Sequence, residues 1–256
     1  INAYLVNSNN IFIKKSTKSI SELPEMNFGS MPNDGGYLLL SDEEKNELIE
    51  RAAEAYAKYM DIILPGWRED PNSKETPLRV SKAFINDISA GLYNKFPKIT
   101  AFENVEGYEG IVLQSNIPVK SFCSHHHQNI SGHAHVAYIP SKTGKVIGLS
   151  KLNRITDHIS RTPAVQENLT VLIHSAVDTL CENNLGVAVI IRAKHNCCSH
   201  RGIRHDSDMS TAVLSGGFKT NTDGVKDELY QLTSEQKTII KNYPRAVDRI
   251  EMLLRE

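Results

Sequence analysis

The sequence predicts an α+β domain in which antiparallel strands form hairpins and pack against helices, rather than a doubly wound parallel sheet. Three observations favour this fold class. Apolar residues recur at helical spacing in the segments that follow residues 41, 76 and 163, and the period changes to two between about 110 and 140. The elements also occur in the order helices, strands, helices, strands and a final helix, whereas a doubly wound sheet would alternate strand with helix.

The helices have recognisable ends. Ser41 and Glu44 form a capping-box pattern before the first helix, and Pro65-Gly66 ends it. A second helix begins at Thr76-Pro77, with proline at its first position, and Gly91 is the predicted stop. Further helices are predicted from about Ser150, over 163–181 and over 233–254.

The strands are predicted from alternating side chains. The alternation is clear over 133–138 and 187–191, and a further strand is predicted over 209–214. The second of these strands leads directly into His195 and Cys197.

The composition argues against several classes of protein. There are 29 basic and 30 acidic side chains, for a net charge of −1, without the basic excess of a general nucleic-acid binder. No run approaches the roughly 18–20 apolar residues of a membrane-spanning helix. The first residues lack the basic stretch and apolar core of a secretory signal. We therefore expect a cytoplasmic protein with no nucleic-acid partner and no membrane partner.

Cysteine and histidine are concentrated in the stretch Ser-Phe-Cys-Ser-His-His-His at 121–127. Cys123 and His126 are three residues apart, and in a turn this spacing can bring a thiolate and an imidazole to one metal ion. Cys197 or Cys198 would be the natural third ligand, and spacing alone does not choose between them. The plainer alternative is a set of buried thiols and surface histidines.

These residues belong to a longer series of ordered motifs. The series consists of Cys123-Ser124-His125-His126, Val-Ala-Tyr-Ile-Pro at 136–140, Gly-Leu-Ser-Lys-Leu-Asn-Arg-Ile at 148–155, Val-Gln-Glu-Asn-Leu-Thr at 165–170, His195-Asn196-Cys197, Arg-Gly-Ile-Arg at 201–204 and Gly-Gly-Phe-Lys at 216–219. Over about residues 41 to 231 it resembles the GTP cyclohydrolase I family. One position departs from the family pattern, because Ser124 replaces the usual glutamate and carries no charge.

The resemblance implies a fold, an assembly and a cofactor. The fold would be the tunnelling fold, an antiparallel sheet with helices on one side and a helical extension at the amino terminus. The assembly would be a homodecamer with active sites between subunits. The cofactor would be Zn²⁺ held by Cys123, His126 and Cys197, which selects Cys197 over Cys198.

The resemblance also implies a reaction. Water activated by zinc would open the guanine ring of GTP at C8, formate would leave, and rearrangement would give 7,8-dihydroneopterin triphosphate. His125 and His195 would be the catalytic histidines, with Ser150 at a helix start counted among the catalytic residues. The pathway that uses the product stays open among folate, tetrahydropterin and deazaguanine routes.

Substrate recognition would involve two groups of residues. Glu167 would accept hydrogen bonds from guanine N1–H and the exocyclic amine, with Gln166 as its matching neighbour. The cations that match family positions for the triphosphate are Lys151, Arg154, Arg201, Arg79 and Lys82. Without the resemblance, Glu167 would be explained by the helix dipole and the cations by ordinary solvated helix faces.

The chain is predicted to divide into four segments. We expect a flexible arm over 1–40, a helical region over 41–100, the catalytic domain over 101–231 and a helix outside the family match over 232–256. The alternatives are a paralogue that acts on a different purine nucleotide and a non-catalytic GTP-binding homologue. A nucleic-acid-binding zinc module is disfavoured by the neutral charge and by the long interval between Cys123 and Cys197.

Overall fold

The computed structural model describes residues 2–7, 10–15 and 37–242, with side chains over 40–234. Three short strands come first, β1 (Asn2–Asn7), β2 (Asn10–Lys15) and β3 (Tyr37–Leu39), and they form an antiparallel sheet in the order β2-β1-β3. They lie in the segment expected to be a flexible arm, most of whose remaining residues are outside the described ranges. The arm as a whole stays a prediction.

Helix α1 (Asp42–Ile63) begins where its cap was predicted. Ser41 Oγ accepts a hydrogen bond from the backbone N–H of Glu44 at 3.2 Å, and the Glu44 carboxylate accepts one from the N–H of Ser41 at 2.6 Å. This reciprocal pair satisfies two of the backbone donors that a helix start leaves without partners. The helix ends just before Pro65-Gly66, as predicted.

The second predicted helix is divided into three parts. It consists of α2 (Thr76–Ala83), a single π-helical turn (Phe84–Ile88) and the short α3 (Ala90–Tyr93). Gly91 therefore lies inside α3 instead of ending a helix. A side chain there would overlap the carbonyl oxygen of His158, and the Gly91 N–H donates to the carbonyl of Arg161 at 2.8 Å. The glycine is needed for close approach between two segments.

The main sheet has five strands in the order β10-β9-β6-β5-β8. The remaining strands are β4 (Ala101–Glu103), β5 (Val112–Cys123), β6 (Asn129–Ile139), β7 (Lys145–Ile147), β8 (Pro163–Ala164), β9 (Gly186–His195) and β10 (Asp208–Leu214). Every pairing in the main sheet is antiparallel except the two-residue β8, which runs parallel to the end of β5. Strands β4 and β7 form a separate pair.

Two long helices cover one face of the main sheet. They are α4 (Leu149–Ser160) and α5 (Gln166–Leu180), and their apolar stripes complete the larger core. Leu152, Ile155, Leu169 and Ile173 are fully buried there, and burial of each contributes about 1.5–3 kcal/mol. The α+β prediction is confirmed, although α5 begins at Gln166 and not at Pro163, because Pro163 pairs with β5 instead.

The opposite face of the sheet carries a smaller apolar cluster. Short helices α6 (Asn196–Ser199) and α7 (Gly216–Thr220) are followed by α8 (Val225–Asn242). Phe218 of α7 and Leu229 of α8 are buried against Ala137, Ile139 and Ala188. The predicted final helix thus begins earlier than expected, and its part beyond 242 lies outside the described residues. No described helix is both long enough and apolar enough to cross a bilayer.

A buried histidine on α4 leads to a prediction about stability and pH. Burial lowers the pKa of His158 from 6.5 to about 4, and its ring stacks edge-on against Phe96 with centroids 5.1 Å apart. As the pH falls below 6.5, the His158 ring is protonated in the unfolded chain, whereas in the folded chain it stays neutral down to about pH 4. The free energy of unfolding therefore has its full value above about pH 6.5. It decreases between pH 6.5 and pH 4, by at most roughly 3 kcal/mol.

We expect His158→Gln to flatten this dependence. Urea unfolding midpoints measured from pH 4 to pH 7 should fall less steeply for the variant than for the wild type. His205→Gln, at an exposed position, is the matched control and should keep the wild-type slope. Equal slopes in His158→Gln and the wild type would contradict the prediction.

Candidate active site

Three side chains with metal-binding chemistry meet at one end of the main sheet. Cys123 is the last residue of β5, His195 is the last residue of β9, and Cys197 lies in the helix α6 that follows. Strand β6 aligns the ends of β5 and β9, because its residue Asn129 pairs with Phe122 on one side and its residue Ile130 pairs with His195 on the other. Among the described residues, these three form the one group whose candidate ligand atoms all lie within 4.8 Å of one another.

The donor set fits a metal such as zinc. Zinc in proteins takes thiolate sulfur and imidazole nitrogen in tetrahedral sites, and donors at 2.0–2.3 Å from the ion lie roughly 3.3–3.8 Å from one another. Small side-chain rotations would bring the three atoms to that spacing. Burial, and then the neighbouring Cys123 thiol, raise the pKa of Cys197 to about 11. A bound divalent cation favours the thiolate form and opposes this rise.

The loop between β5 and β6 carries the three consecutive histidines. It is a tight turn in which the N–H of Cys123 donates to the carbonyl of Gln128 at 2.8 Å and the N–H of His127 donates to the carbonyl of Cys123 at 2.9 Å. His125 and His126 are exposed on this turn, with ring centroids 6.4 Å apart. His126 is not a member of the close group, so its predicted role as a ligand stays a prediction.

His127, which had no predicted role, is exposed on the turn but lies against two aromatic rings. Its backbone has the left-handed φ of 54°, and its ring lies 4.7 Å from the ring of Phe122 and 6.4 Å from that of Phe84. Phe84 begins the π-helical turn, so this aromatic cluster joins the helical region to the histidine loop. No periodicity in the sequence indicates such a contact, because a left-handed residue in a turn breaks the local pattern.

His195 is held by a buried glutamine. Nε2 of His195 lies 2.8 Å from Oε1 of Gln166, the first residue of α5. Nε2 of Gln166 lies 3.1–3.2 Å from three acceptors, the carbonyls of Ile191 and Met209 and the Thr211 hydroxyl, which share its two N–H donors. Gln166 was expected beside the substrate, but it has no exposed surface. The oxygen and the nitrogen of its side-chain amide both form hydrogen bonds with other residues of the chain.

Glu167 and Arg201 lie at the same end of the sheet. Glu167 is exposed in the first turn of α5, directly after Gln166. Burial lowers the pKa of His195, and the negative charge of Glu167 partly opposes that change. Arg201 is exposed just beyond α6. The Glu167 carboxylate therefore lies close to His195, and Arg201 follows Cys197 by four residues along the chain.

The cations of α2 lie on the helix that leads to the histidine loop. Arg79 and Lys82 are both exposed, and Arg79 makes an ion pair with Glu75 at 2.6 Å. The π-helical turn that follows α2 reaches Phe122, whose ring centroid is 5.1 Å from that of Phe84.

Ser150, Lys151 and Arg154 lie along α4, whose start is remote from Cys123 and Cys197. The start of α4 follows Ile147, whose N–H donates to the Tyr138 hydroxyl, and Tyr138 pairs with Val112 at the far end of β5. The end of α4 lies near the cysteines, since the Thr162 carbonyl accepts a bond from the Ser121 hydroxyl. The 12 residues of α4 span about 18 Å. Within one chain, Ser150 and Lys151 are thus separated from Cys123 by about the length of this helix.

Comparison with known proteins identifies similar sequences over most of the chain. A family model described as "GTP cyclohydrolase I" matches residues 52–234. A second model, "MmeI, target recognition domain", matches residues 7–69, a range that contains none of the candidate site residues.

Curated relatives carry the same family name. The protein "GTP cyclohydrolase 1" of Aeromonas salmonicida (strain A449) is 40% identical over 186 residues, which cover 72% of this chain and 82% of the relative. That of Vibrio parahaemolyticus serotype O3:K6 is 41% identical over 184 residues, with 71% and 82% covered. That of Shewanella sp. (strain W3-18-1) is 37% identical over 193 residues, with 75% and 87% covered.

Proposed function

Because this chain belongs to the GTP cyclohydrolase I family, we propose that it hydrolyses GTP to formate and 7,8-dihydroneopterin triphosphate. The observation that supports this most strongly is the convergence of Cys123, His195 and Cys197 from separate segments of the chain. The test is to supply GTP to zinc-replete protein and to measure formate together with a fluorescent pterin after oxidation. Absence of both products would contradict the proposal.

Zinc would be held by the sulfurs of Cys123 and Cys197 and by one imidazole. The family resemblance assigns that imidazole to His126, while His195 lies closer to the thiols in the described geometry. A zinc ion bound there supplies Lewis acidity, which lowers the pKa of water towards neutrality. Cys123 is 3% exposed, so the protein excludes bulk solvent from one side of the site.

The side chains around the thiols would handle the base and its protons. Glu167 would accept two hydrogen bonds from guanine, an arrangement that rejects adenine because adenine lacks that pair of donors. His125, exposed on the turn beside Cys123, would transfer a proton to or from the imidazole part of the base. His195 would serve the later steps, in which the ribose opens and rearranges.

The position of α4 supports an active site built from two chains. Ser150 and Lys151 are about one α4 length from Cys123 in the same chain, so they would contact the triphosphate of a GTP bound at a neighbouring copy. Arg201, Arg79 and Lys82 would contribute from the chain that holds the metal or from another copy. A homo-oligomer, with a decamer as the proposed form, would therefore be required for activity.

Mixing two inactive variants tests the shared site. Lys151→Glu removes a phosphate ligand, and Cys197→Ala removes a metal ligand. If these residues act from different chains, co-refolded mixtures should regain activity at roughly a quarter of the sites, because half the chains carry each intact residue. Mixtures of Cys197→Ala with Cys123→Ala should stay inactive, since both residues hold the metal from the same chain. No recovery in the first mixture would contradict the shared site.

A further inference from the structure

We infer that Gln166 is a positioning residue that fixes the tautomer of His195, so that Nδ1 is the ring nitrogen with a free lone pair. The inference rests on the proposed function, because it deepens the role of His195 within that site. The juxtaposition that carries it is a fully buried amide placed between His195 and the carbonyl groups of two strands.

The surroundings decide which end of the Gln166 amide faces His195. The carbonyl oxygens of Ile191 and Met209 can only accept hydrogen bonds, and both lie within 3.2 Å of the same amide atom. That atom must therefore be the NH₂ nitrogen. A flipped amide would bring its oxygen against two other oxygens in a site without solvent, which would cost the full penalty of unmade hydrogen bonds.

The orientation of the amide then determines which ring nitrogen of His195 carries the hydrogen. The amide oxygen of Gln166 can only accept, and it is 2.8 Å from Nε2 of His195. Nε2 must therefore carry a hydrogen and donate it. In the neutral ring the other nitrogen, Nδ1, then holds the lone pair. Nδ1 is the atom that can accept a proton from a substrate or bind a metal ion.

A hydroxyl pair supports Gln166 from behind. Oγ1 of Thr211 accepts from the Gln166 amide at 3.1 Å and lies 2.6 Å from Oγ1 of Thr170, which donates to the Gln166 backbone carbonyl at 2.8 Å. The support therefore comes from β9, β10 and the first turn of α5 together. Partners of this kind, which set the tautomer of a functional histidine, typically change activity or metal affinity by about 10- to 100-fold when removed.

Nitrogen NMR of protein labelled with ¹⁵N-histidine reads the tautomer directly, in metal-free and in zinc-loaded protein. His195→Asn identifies the signals of His195 by their loss. In the wild type at a pH where the ring is neutral, Nε2 should have the shift of a protonated nitrogen and Nδ1 that of an unprotonated one. The reverse pattern in metal-free wild type would overturn the inference, and this measurement needs no variant of Gln166 to fold.

Variants then separate positioning from general support. Gln166→Met keeps the approximate size of the side chain but accepts no strong hydrogen bond, and it should give a mixture of both tautomers and an about 10- to 100-fold loss in kcat. Ser121→Ala is the matched control, because it removes a buried side-chain hydrogen bond, to the Thr162 carbonyl, that involves neither Gln166 nor His195. It should keep the wild-type tautomer signals even where it lowers stability. Unchanged His195 signals in a folded Gln166→Met would overturn the inference.

The two hypotheses fail in different ways. If wild-type protein does not release formate from GTP, the proposed function fails whatever the tautomer. If it turns over GTP but His195 carries its proton on Nδ1, the function stands and the role of Gln166 is wrong.

Discussion

Replacing Cys197 by alanine is expected to remove the bound metal and all detectable turnover of GTP. The variant loses one of two sulfur donors, and the remaining thiol and imidazole cannot complete the three protein ligands of a catalytic zinc site. Zinc per chain after exhaustive dialysis, measured by mass spectrometry, and formate release should both fall to background. Circular dichroism should stay close to that of the wild type, because Cys197 is only partly buried in a four-residue helix.

The adjacent cysteine supplies the control. Cys198 is exposed and lies next to Cys197 in the same helix, so Cys198→Ala removes a thiol from the same turn without removing a proposed ligand. It should retain zinc and activity. Loss of zinc in Cys198→Ala together with its retention in Cys197→Ala would show that the wrong cysteine had been assigned.

The same zinc measurement distinguishes the two imidazoles. If His126 is the ligand, His126→Ala should lose zinc and His195→Ala should keep zinc while losing turnover. If the close grouping of His195 with the thiols reflects coordination, the two results should be exchanged. Cobalt(II) in place of zinc gives a second readout, because its absorption spectrum depends on the number of thiolate and imidazole ligands.

Replacing Glu167 by glutamine is expected to raise KM for GTP by about 100-fold and to lower kcat/KM by at least as much. A carboxylate can accept both guanine donors, whereas an amide offers one acceptor and one donor that faces an N–H of the base. Loss of one charged hydrogen bond, worth about 1.5–3 kcal/mol, together with this repulsion accounts for the size of the effect.

Inosine triphosphate makes the test specific to guanine recognition. It lacks the exocyclic amine, so the gap between wild type and Glu167→Gln should be smaller with this substrate than with GTP. Asp178→Asn, an exposed carboxylate change towards the other end of α5, should leave both substrates unaffected. An equal loss with GTP and inosine triphosphate would argue against contact between Glu167 and the amine.

Local sequence patterns predicted the elements whose ends depend on local chemistry. The capping box placed the start of α1 correctly because both of its hydrogen bonds join residues three apart. Alternation likewise identified β6 and β9, two of the three inner strands of the main sheet, whereas β5 was not predicted as a separate strand. The start of α5 was missed because Pro163 and Ala164 pair with the end of β5, a contact between residues about 40 positions apart that no local window contains.

The residue types of the candidate site could be predicted from sequence motifs, but their spatial arrangement could be predicted only in part. The motif series contains Cys123, His195 and Cys197, and the structure brings these three together, whereas the resemblance had placed His126 with the two cysteines and given His195 a catalytic role. Two features lay beyond reach. The contact of Gln166 with Thr211 joins α5 to a strand 45 residues away, and the distance of Lys151 from Cys123 follows from the direction in which α4 crosses the sheet. Both depend on the packed arrangement and not on spacing along the chain.

The support of His195 depends on how firmly β10 is held at the edge of the sheet. In the described part of the chain, β10 pairs with β9 along one edge, and its Met209 and Thr211 supply two of the contacts that hold the Gln166 amide. A strand from a second chain that bound the other edge would limit the fraying of β10 and would thereby steady the ring of His195. Dilution to concentrations at which copies separate would then weaken the proposed proton transfer at His195 as well as the proposed nucleotide binding between chains.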